Sequence, residues 1–161
     1  MPNDIRINWN LDFMEGDYAF DSILQDLESD EGLETAVIIS LFTDRRANED
    51  DILPDPNSLD RRGWWGDLTT SFEDDQIGSR LWLLEREKTL ENVPVRAKKY
   101  AEESLQWLID DGITKKIEVE TERQGVPGND RLAIAVRIFK PDGTVVPFRY
   151  LTQWIAQEAR I

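Results

Sequence analysis

The last third of the chain alternates apolar and polar residues with a period of two, and this pattern constrains the fold more than any other feature. Ile117, Val119 and Thr121 alternate with charged neighbours, which indicates a strand with one solvated face. A second strand, ending near Lys140, is indicated by an apolar series made of Leu132, Ile134, Val136 and Ile138. Residues 115–150 are therefore predicted to form an antiparallel meander.

Turn and edge signals complete this meander. Pro141-Asp142-Gly143 is a strong turn signal, and Val145–Tyr150 is predicted to return as a third strand. Pro147 cannot donate a ladder hydrogen bond, which argues for an edge position. The terminal segment 151–161 is predicted to hold a short helix, over Leu151 to Gln157.

Helical patterns occupy residues 33–112. The apolar run from Leu33 suits a buried strand or a buried helix. Glu31 and Glu34 suit a first helical turn and Arg45 and Arg46 a last one, which favours a helix through about Arg46. A second helical stretch is predicted from about Ile77 to Lys88. A third, from Val93 to Asp111, ends at a glycine and carries an apolar stripe at helical spacing. That stripe consists of Ala97, Ala101, Leu105 and Leu108.

The N-terminal segment, residues 1–32, is acidic. Ile5, Ile7 and Trp9 alternate with polar residues and predict a short strand, whereas residues 10–31 predict a loop with a short helix. Helices followed by an antiparallel meander predict an α+β fold. A length of 161 residues fits a single domain, 1–161, with about three helices packed on a meander of three to four strands.

The negative charge of the chain is concentrated near its beginning. Residues 1–60 carry 16 acidic and 3 basic side chains, whereas residues 61–161 carry 17 and 16. Direct binding to nucleic acid is disfavoured, because phosphate contacts need positive charge. The acidic segment either keeps the chain soluble or steers a basic protein partner. A third hypothesis is that the chain mimics DNA and binds a nucleic-acid enzyme through residues 1–60. Such a decoy would spread negative charge over a whole face, and the near-neutral charge of residues 61–161 argues against it.

Composition removes several classes of chemistry. The chain has no cysteine and no histidine, which excludes catalytic triads with histidine, thiolate chemistry and the usual zinc sites. Two carboxylates can hydrolyse a glycoside, but adjacent acidic residues are frequent by chance in this composition. These pairs are Asp50-Asp51, Asp74-Asp75, Glu102-Glu103 and Asp110-Asp111. A carboxylate-dependent peptidoglycan hydrolase remains the alternative to a non-enzymatic role.

No cofactor or metal site is predicted. The segment Asp50–Asn57 is rich in oxygen ligands, but two prolines and the absence of EF-hand spacing favour an ordinary acidic loop. No phosphate-binding glycine pattern is present. No apolar run approaches the length of a membrane helix, so no membrane partner is expected.

An aromatic loop is the most distinctive local feature. Trp64 and Trp65 lie between two glycines and follow Arg61 and Arg62. Tryptophan and arginine dominate binding hot spots, and neighbouring residues of an extended segment face opposite sides. Either both tryptophans cover the core of the domain, or one enters the core and the other faces a partner. Trp82 is predicted to be a core residue.

Two tryptophan motifs in order resemble a known family. Arg61-Arg62-Gly63-Trp64-Trp65-Gly66-Asp67 and then Gly78-Ser79-Arg80-Leu81-Trp82-Leu83-Leu84 resemble the Mu-like phage baseplate wedge proteins. Two flanking segments, 36–46 and 100–108, look like the corresponding parts of that family. The resemblance covers about Thr35 to Gly112. The Glu-Pro-Arg element of the broader sheath-initiator group is replaced here by Asp110-Asp111-Gly112-Ile113-Thr114.

The resemblance implies a structural role without catalysis. It implies an α+β component of a contractile tail that joins the wedge to the hub and helps to initiate the sheath. The implied partners are the larger wedge protein, the hub or spike and the first sheath ring of a six-fold baseplate. The implied location is the virion tail baseplate, after assembly in the host cytoplasm. The residues expected to contact partners are Arg61, Arg62, Trp64, Trp65, Arg80, Val145 and Phe148.

Overall fold

A computed structural model of the chain describes residues 4–5, 7–18, 20–21, 26–27, 29–30, 32–68, 76–85, 92–126 and 129–153. The strands in these ranges are β1 (Asp4–Ile5), β2 (Ile7–Asn10), β3 (Glu15–Tyr18), β4 (Phe20–Asp21), β5 (Asp26–Leu27), β6 (Ser29–Asp30), β7 (Lys116–Val126), β8 (Asn129–Phe139) and β9 (Val145–Gln153). The helices are α1 (Leu33–Phe42), α2 (Val93–Leu105) and α3 (Trp107–Asp110), with 3-10 turns at Trp65–Leu68 and Leu81–Leu84. The predicted α+β class is confirmed.

The C-terminal meander has the predicted order. β7, β8 and β9 form one antiparallel sheet in that sequence, so the proline-containing strand β9 lies at an edge as predicted. The predicted turn is confirmed as well, because the Gly143 amide donates to the Lys140 carbonyl at 3.1 Å. Gly143 has a φ of 90°, the left-handed conformation that closes this type of three-residue loop.

The two faces of this sheet differ as the alternation predicts. Val119, Ile134 and Val136 are buried on the inner face. On the outer face, Arg137 lies 3.0 Å from Glu118 and 2.6 Å from Glu120. A hydrogen bond from Lys116, followed by the charges of Lys116 and Arg137, lowers the pKa of Glu118. Apolar burial on one face and solvated ion pairs on the other explain the register of the meander.

The helices cover the inner face of the sheet. The stripe predicted for the third helix is buried, at Ala97, Ala101, Leu105 and Leu108. Gln106 interrupts this helix, so α2 and α3 are separate elements within the predicted range. Val37, Ile38 and Leu41 of α1 are part of the same hydrophobic core, as is Trp82. The prediction that Trp82 is a core residue is therefore confirmed.

Helix α1 is shorter than predicted, because a distant segment binds its C-terminal end. It stops at Phe42 instead of Arg46, and Thr43 is extended. The Ser79 amide donates to the Thr43 carbonyl at 2.9 Å, and the Arg45 amide donates to the Ser79 carbonyl at 2.9 Å. These bonds form a short parallel bridge that satisfies groups left open at a helix end.

The second predicted helix, Ile77–Lys88, is wrong where the structure describes it. Residues 77–80 have no helical structure, and only a single 3-10 turn follows at Leu81–Leu84. The backbone of Ser79 is committed to the end of α1, which prevents a helix from passing through it. The remaining positions, 86–88, lie outside the described residues.

Two further predictions fail near the chain ends. The segment 10–31 contains strands β3 to β6, paired antiparallel with one another or with β1 and β2, where a loop and a short helix were predicted. β9 continues through Gln153, so the predicted terminal helix does not begin at Leu151. Trp9 explains part of this extension, because its indole nitrogen donates to the Leu151 carbonyl at 3.1 Å. Positions 154–161 lie outside the described residues.

Tyr150 offers a test of the core. Within the described part of the chain, its buried hydroxyl has no hydrogen-bond partner. Burial and then the charge of Glu34 raise the pKa of Tyr150 well above its ordinary value. Tyr150→Phe removes an unsatisfied polar group, so we expect the free energy of unfolding to stay unchanged or to rise by up to about 1 kcal/mol in urea denaturation.

The matched control is Tyr100→Phe. The Tyr100 hydroxyl accepts a hydrogen bond from Arg96 at 3.0 Å. Losing that bond is expected to cost roughly 0.5–1.5 kcal/mol. A Tyr150→Phe variant that is less stable than the Tyr100→Phe variant would contradict this account of the core.

Candidate protein-binding surface

The aromatic loop, residues 61–68, turns sharply at Arg62 and Gly63. Arg62 and Gly63 both have positive φ angles, 50° and 110°. A side chain at Gly63 would also place its Cβ 2.9 Å from that of Arg46, so glycine is required on two grounds. The loop then closes into the 3-10 turn Trp65–Leu68, and the Asp67 amide donates to the Trp64 carbonyl at 3.1 Å.

The tip of this loop exposes apolar surface. The exposed fractions of Trp64, Trp65 and Leu68 are 38 %, 74 % and 85 %. The two indole rings lie 5.5 Å apart at 44° to each other. A Cβ on the buried Gly66 would fall only 2.1–2.5 Å from ring atoms of Trp64, so this ring covers the glycine. Trp64 is thus anchored on the loop itself, where a place in the domain core was expected for one tryptophan.

Arg62 ties the loop to the domain. Its guanidinium lies 2.9 Å from Asp44 and 3.1 Å from Glu85, and it stacks 4.5 Å from the ring centre of the buried Trp82. Burial alone lowers the pKa of Arg62, but hydrogen bonds and charges from Glu85 and Asp44 outweigh this and raise it. The side chain therefore has an internal structural role, which leaves less of it for a partner.

Arg61 closes the acidic loop that precedes it. Its guanidinium donates to the backbone carbonyls of Asn48 and of Glu49, the latter at 3.0 Å. Its own carbonyl accepts from the Ala47 amide at 2.9 Å. These three bonds hold residues 47–61 as a closed loop beside the tryptophans.

Arg80 lies in a different and largely buried network. It bonds Asp51 at 2.9 Å and Glu103 at 2.6 Å, and it stacks 4.8 Å from the ring centre of Tyr100. Burial alone lowers the pKa of Arg80, and the two carboxylates more than offset this and raise it. Two of the carboxylate pairs considered for hydrolysis, Asp50-Asp51 and Glu102-Glu103, each give one member to this ion-pair network.

The predicted contacts on β9 lie on opposite faces of the sheet. Val145 is 45 % exposed. Phe148 is half-buried and stacks with Tyr150, with the ring centres 6.3 Å apart. Both belong to the edge strand and not to the aromatic loop, so the predicted contact residues divide among the aromatic loop, the Arg80 network and β9.

The open side of β9 is defined by its hydrogen-bond alternation. The Lys140 amide donates to the Thr144 carbonyl at 2.8 Å, which makes this the hydrogen-bonded pair next to the turn. Bonded and non-bonded pairs alternate in an antiparallel ladder, so Val145, Pro147, Arg149 and Leu151 direct their backbone groups away from β8. Pro147 has no N–H to offer there, and the Leu151 carbonyl accepts from Trp9. Within the part of the chain that the structure describes, the backbone groups open to pairing belong mainly to 145–149.

Sequence reasoning missed one apolar member of the aromatic loop and a groove. Leu68 follows the tryptophan motif directly, and an apolar residue between polar neighbours is the signal that could have identified it. A groove of about 560 Å³ lies between α1 and the α2–α3 pair, with Ile39, Ile77 and Trp107 in its lining. The Trp107 indole nitrogen donates to the Ser40 hydroxyl at 3.0 Å across this groove.

The described ranges hold neither a carboxylate cluster suited to a metal ion nor a helix suited to a membrane. Acidic side chains there form no group of three or more that could hold a metal ion. None of the helices in the described part of the chain combines the length and apolar character needed to cross a membrane.

Comparison with known proteins gives consistent relatives. Residues 33–145 match the model of a family described as phage protein GP46. The baseplate protein gp46 of Escherichia phage Mu is 46 % identical over 149 residues, which cover 91 % of this chain and 94 % of that protein. The Mu-like prophage FluMu protein gp46 of Haemophilus influenzae is 34 % identical over 153 residues, covering 94 % and 98 %. The family match over residues 33–145 includes α1, the aromatic loop and the first two strands of the meander.

Proposed function

The chain belongs to the phage protein GP46 family, and we propose that it is a structural, non-enzymatic component of a phage tail baseplate. The observation that carries this proposal is the similarity to the baseplate protein of phage Mu along 94 % of that protein's length. A match of that extent includes nearly every element of the fold, so a shared place in the particle is the simplest explanation.

In the finer form of this proposal, the protein joins the wedge to the hub of a contractile tail and helps to initiate the sheath. Its partners are the larger wedge protein, the hub or spike and the first sheath ring, in six-fold arrangement. The virion tail baseplate is its final location, and assembly takes place in the host cytoplasm. Two separate exposed elements, the aromatic loop and the β9 edge, support contacts with more than one neighbour.

The β9 edge suits partner binding by strand addition. In this mode main-chain hydrogen bonds provide affinity, while alternate side chains provide specificity. An added strand would pair with 145–149, because Trp9 occupies the carbonyl of Leu151. Val145 and Arg149 supply both N–H and C=O groups there, whereas Pro147 supplies only its carbonyl.

Val145→Pro tests this edge. We expect the protein to fold, because the lost N–H points away from β8 and a proline is tolerated at the first residue of an edge strand. We also expect baseplates containing this variant to initiate fewer sheaths, counted by electron microscopy of assembled tails. Val146→Pro is the matched control, since it removes a bond to β8 and should cost about 3 kcal/mol or more of stability. Normal sheath initiation by folded Val145→Pro would exclude strand addition here.

The structural role itself is tested in a prophage that carries this gene. An in-frame deletion is expected to yield particles without tails on induction, and expression of the intact chain should restore them. Mass spectrometry of purified particles should detect the chain in the tail. The purified chain should release no soluble fragments from peptidoglycan. Normal tails from the deletion strain, or release of such fragments, would overturn the proposal.

A further inference from the structure

We propose that Trp64, Trp65 and Leu68 form an apolar knob that inserts into an apolar pocket with a basic rim on a different baseplate protein. This inference rests on the proposed function and adds the chemistry of one partner. Its starting point is the juxtaposition of three exposed apolar side chains on one short turn, with two indole rings 5.5 Å apart.

The knob is held in place before any partner arrives. Arg62 bonds Asp44 and Glu85 and stacks on the buried ring of Trp82, so the base of the loop is fixed to the core. Gly66 has no Cβ, so the Trp64 ring occupies the space that a larger residue at position 66 would need. A preorganised aromatic surface loses little conformational entropy on binding, which is the property of an interface anchor.

The surroundings of the knob define the charge of the partner. Residues 46–68 contain six carboxylates and three arginines, a net charge of −3. The guanidinium groups of Arg61 and Arg62 are bonded to carbonyls and carboxylates of the chain itself. Of the six carboxylates, Asp51 is paired with Arg80 and one oxygen of Asp67 is buried, so the acidic surface of this region consists of Glu49, Asp50, Asp55 and Asp60. An apolar knob in an acidic setting fits a pocket whose rim carries lysine or arginine.

A second copy of the chain is the wrong occupant for this surface. The chain carries a net charge of −14, and docking through the same acidic region would bring like charges together. A different protein with a basic rim avoids this repulsion. Complementary charge then guides the encounter, and burial of the tryptophans supplies most of the binding energy.

A competition for places in the particle tests the knob. A double variant, Trp65→Ala with Leu68→Ala, is expressed together with the wild-type chain and at the same level in an induced prophage. The amounts of the double variant and of the wild-type chain are then measured in purified particles. Both side chains are exposed, so the variant should fold, which circular dichroism and thermal melting verify. We expect it to be under-represented by about 30-fold or more, the effect of removing a binding hot spot.

Leu59→Ala is the matched control, because Leu59 is 96 % exposed on the neighbouring loop and lies outside the knob. It should enter particles as often as the wild-type chain. Equal exclusion of both variants, or equal entry of both, would overturn the knob as the anchor. Absence of the wild-type chain from particles would instead contradict the proposed function.

The basic rim is tested separately by the double variant Glu49→Lys with Asp50→Lys. This variant should also be under-represented in particles relative to the wild-type chain. A photo-crosslinking residue at position 65 should attach to peptides of another tail protein that contain both basic and apolar residues. Crosslinks to a second copy of this chain, or normal entry of the charge variant, would overturn the stated partner.

Discussion

Replacing Gly78 by alanine is expected to lower the free energy of unfolding by roughly 2–5 kcal/mol. Gly78 has a φ of 96°, which L side chains rarely adopt. An added Cβ would also lie 2.3 Å from the carbonyl oxygen of Thr43 and 2.8 Å from its carbon. These are backbone atoms, so relief requires separating the Gly78–Ser79 segment from the end of α1. Urea denaturation monitored by circular dichroism measures the loss.

Gly112→Ala is the matched control for backbone strain without crowding. Gly112 has a φ of 70°, but among the described residues no atom outside its immediate chain neighbours lies within 4 Å of its added Cβ. This variant should therefore cost only about 1–2 kcal/mol, the strain of the left-handed conformation alone. Equal losses in the two variants would show that contact with Thr43 contributes nothing. The melting temperature should fall by about 2–4 °C for each kcal/mol lost in a chain of this size.

The second large effect is expected at Arg80. Its side chain is 12 % exposed and that of Asp51 is 13 % exposed, so the pair is largely removed from water. Arg80→Met keeps much of the volume but leaves Asp51 without its cation. Removing one partner of a buried ion pair costs about 3–5 kcal/mol. Glu103 is more exposed and regains water, so we expect roughly 2–4 kcal/mol in denaturant unfolding.

A double variant separates the cost of the orphaned charge from the loss of packing. In the wild-type chain, the Asn48 amide donates to the Asp51 carboxylate at 2.8 Å. In the double variant Arg80→Met with Asp51→Asn, the amide oxygen of the new asparagine can still accept this bond. Stability should recover in part relative to Arg80→Met alone. Lys99→Met is the surface control, because Lys99 reaches Glu103 only at 3.8 Å and is 71 % exposed. It should change stability by no more than about 1 kcal/mol.

Elements with local signals were predictable from the sequence. The alternation of Leu132, Ile134 and Val136 defines β8 because side chains in a strand change face at every residue. The stripe on α2 and the Pro141-Asp142-Gly143 turn are equally local. The predicted helix over 77–88 is wrong at residues 77–80, because the backbone of Ser79 bonds residues near the end of α1. The strands of the N-terminal segment likewise depend on pairing across turns.

In the candidate surface too, the sequence identified residues by local signals, whereas long-range contacts decided their roles. The sequence identified Arg80 as well as the tryptophans and arginines of the aromatic loop, but it could not distinguish the roles of these side chains. Partners far along the chain decide these: Asp44 and Glu85 bind Arg62, while Asp51 and Glu103 bind Arg80. Leu68 was missed because a single apolar residue after a motif gives no periodic signal.

The sequence by itself determined the α+β class, the meander, the α2 stripe and the family resemblance, since all depend on residues close together in the chain. The tertiary structure decided where α1 ends, how far β9 extends and which side chains of residues 61–68 face outward. The physical reason is that a guanidinium or an amide binds whichever acceptor the fold brings within about 3 Å. Trp65 and Leu68 are exposed on a loop that Arg62 ties to Asp44, Glu85 and the ring of Trp82.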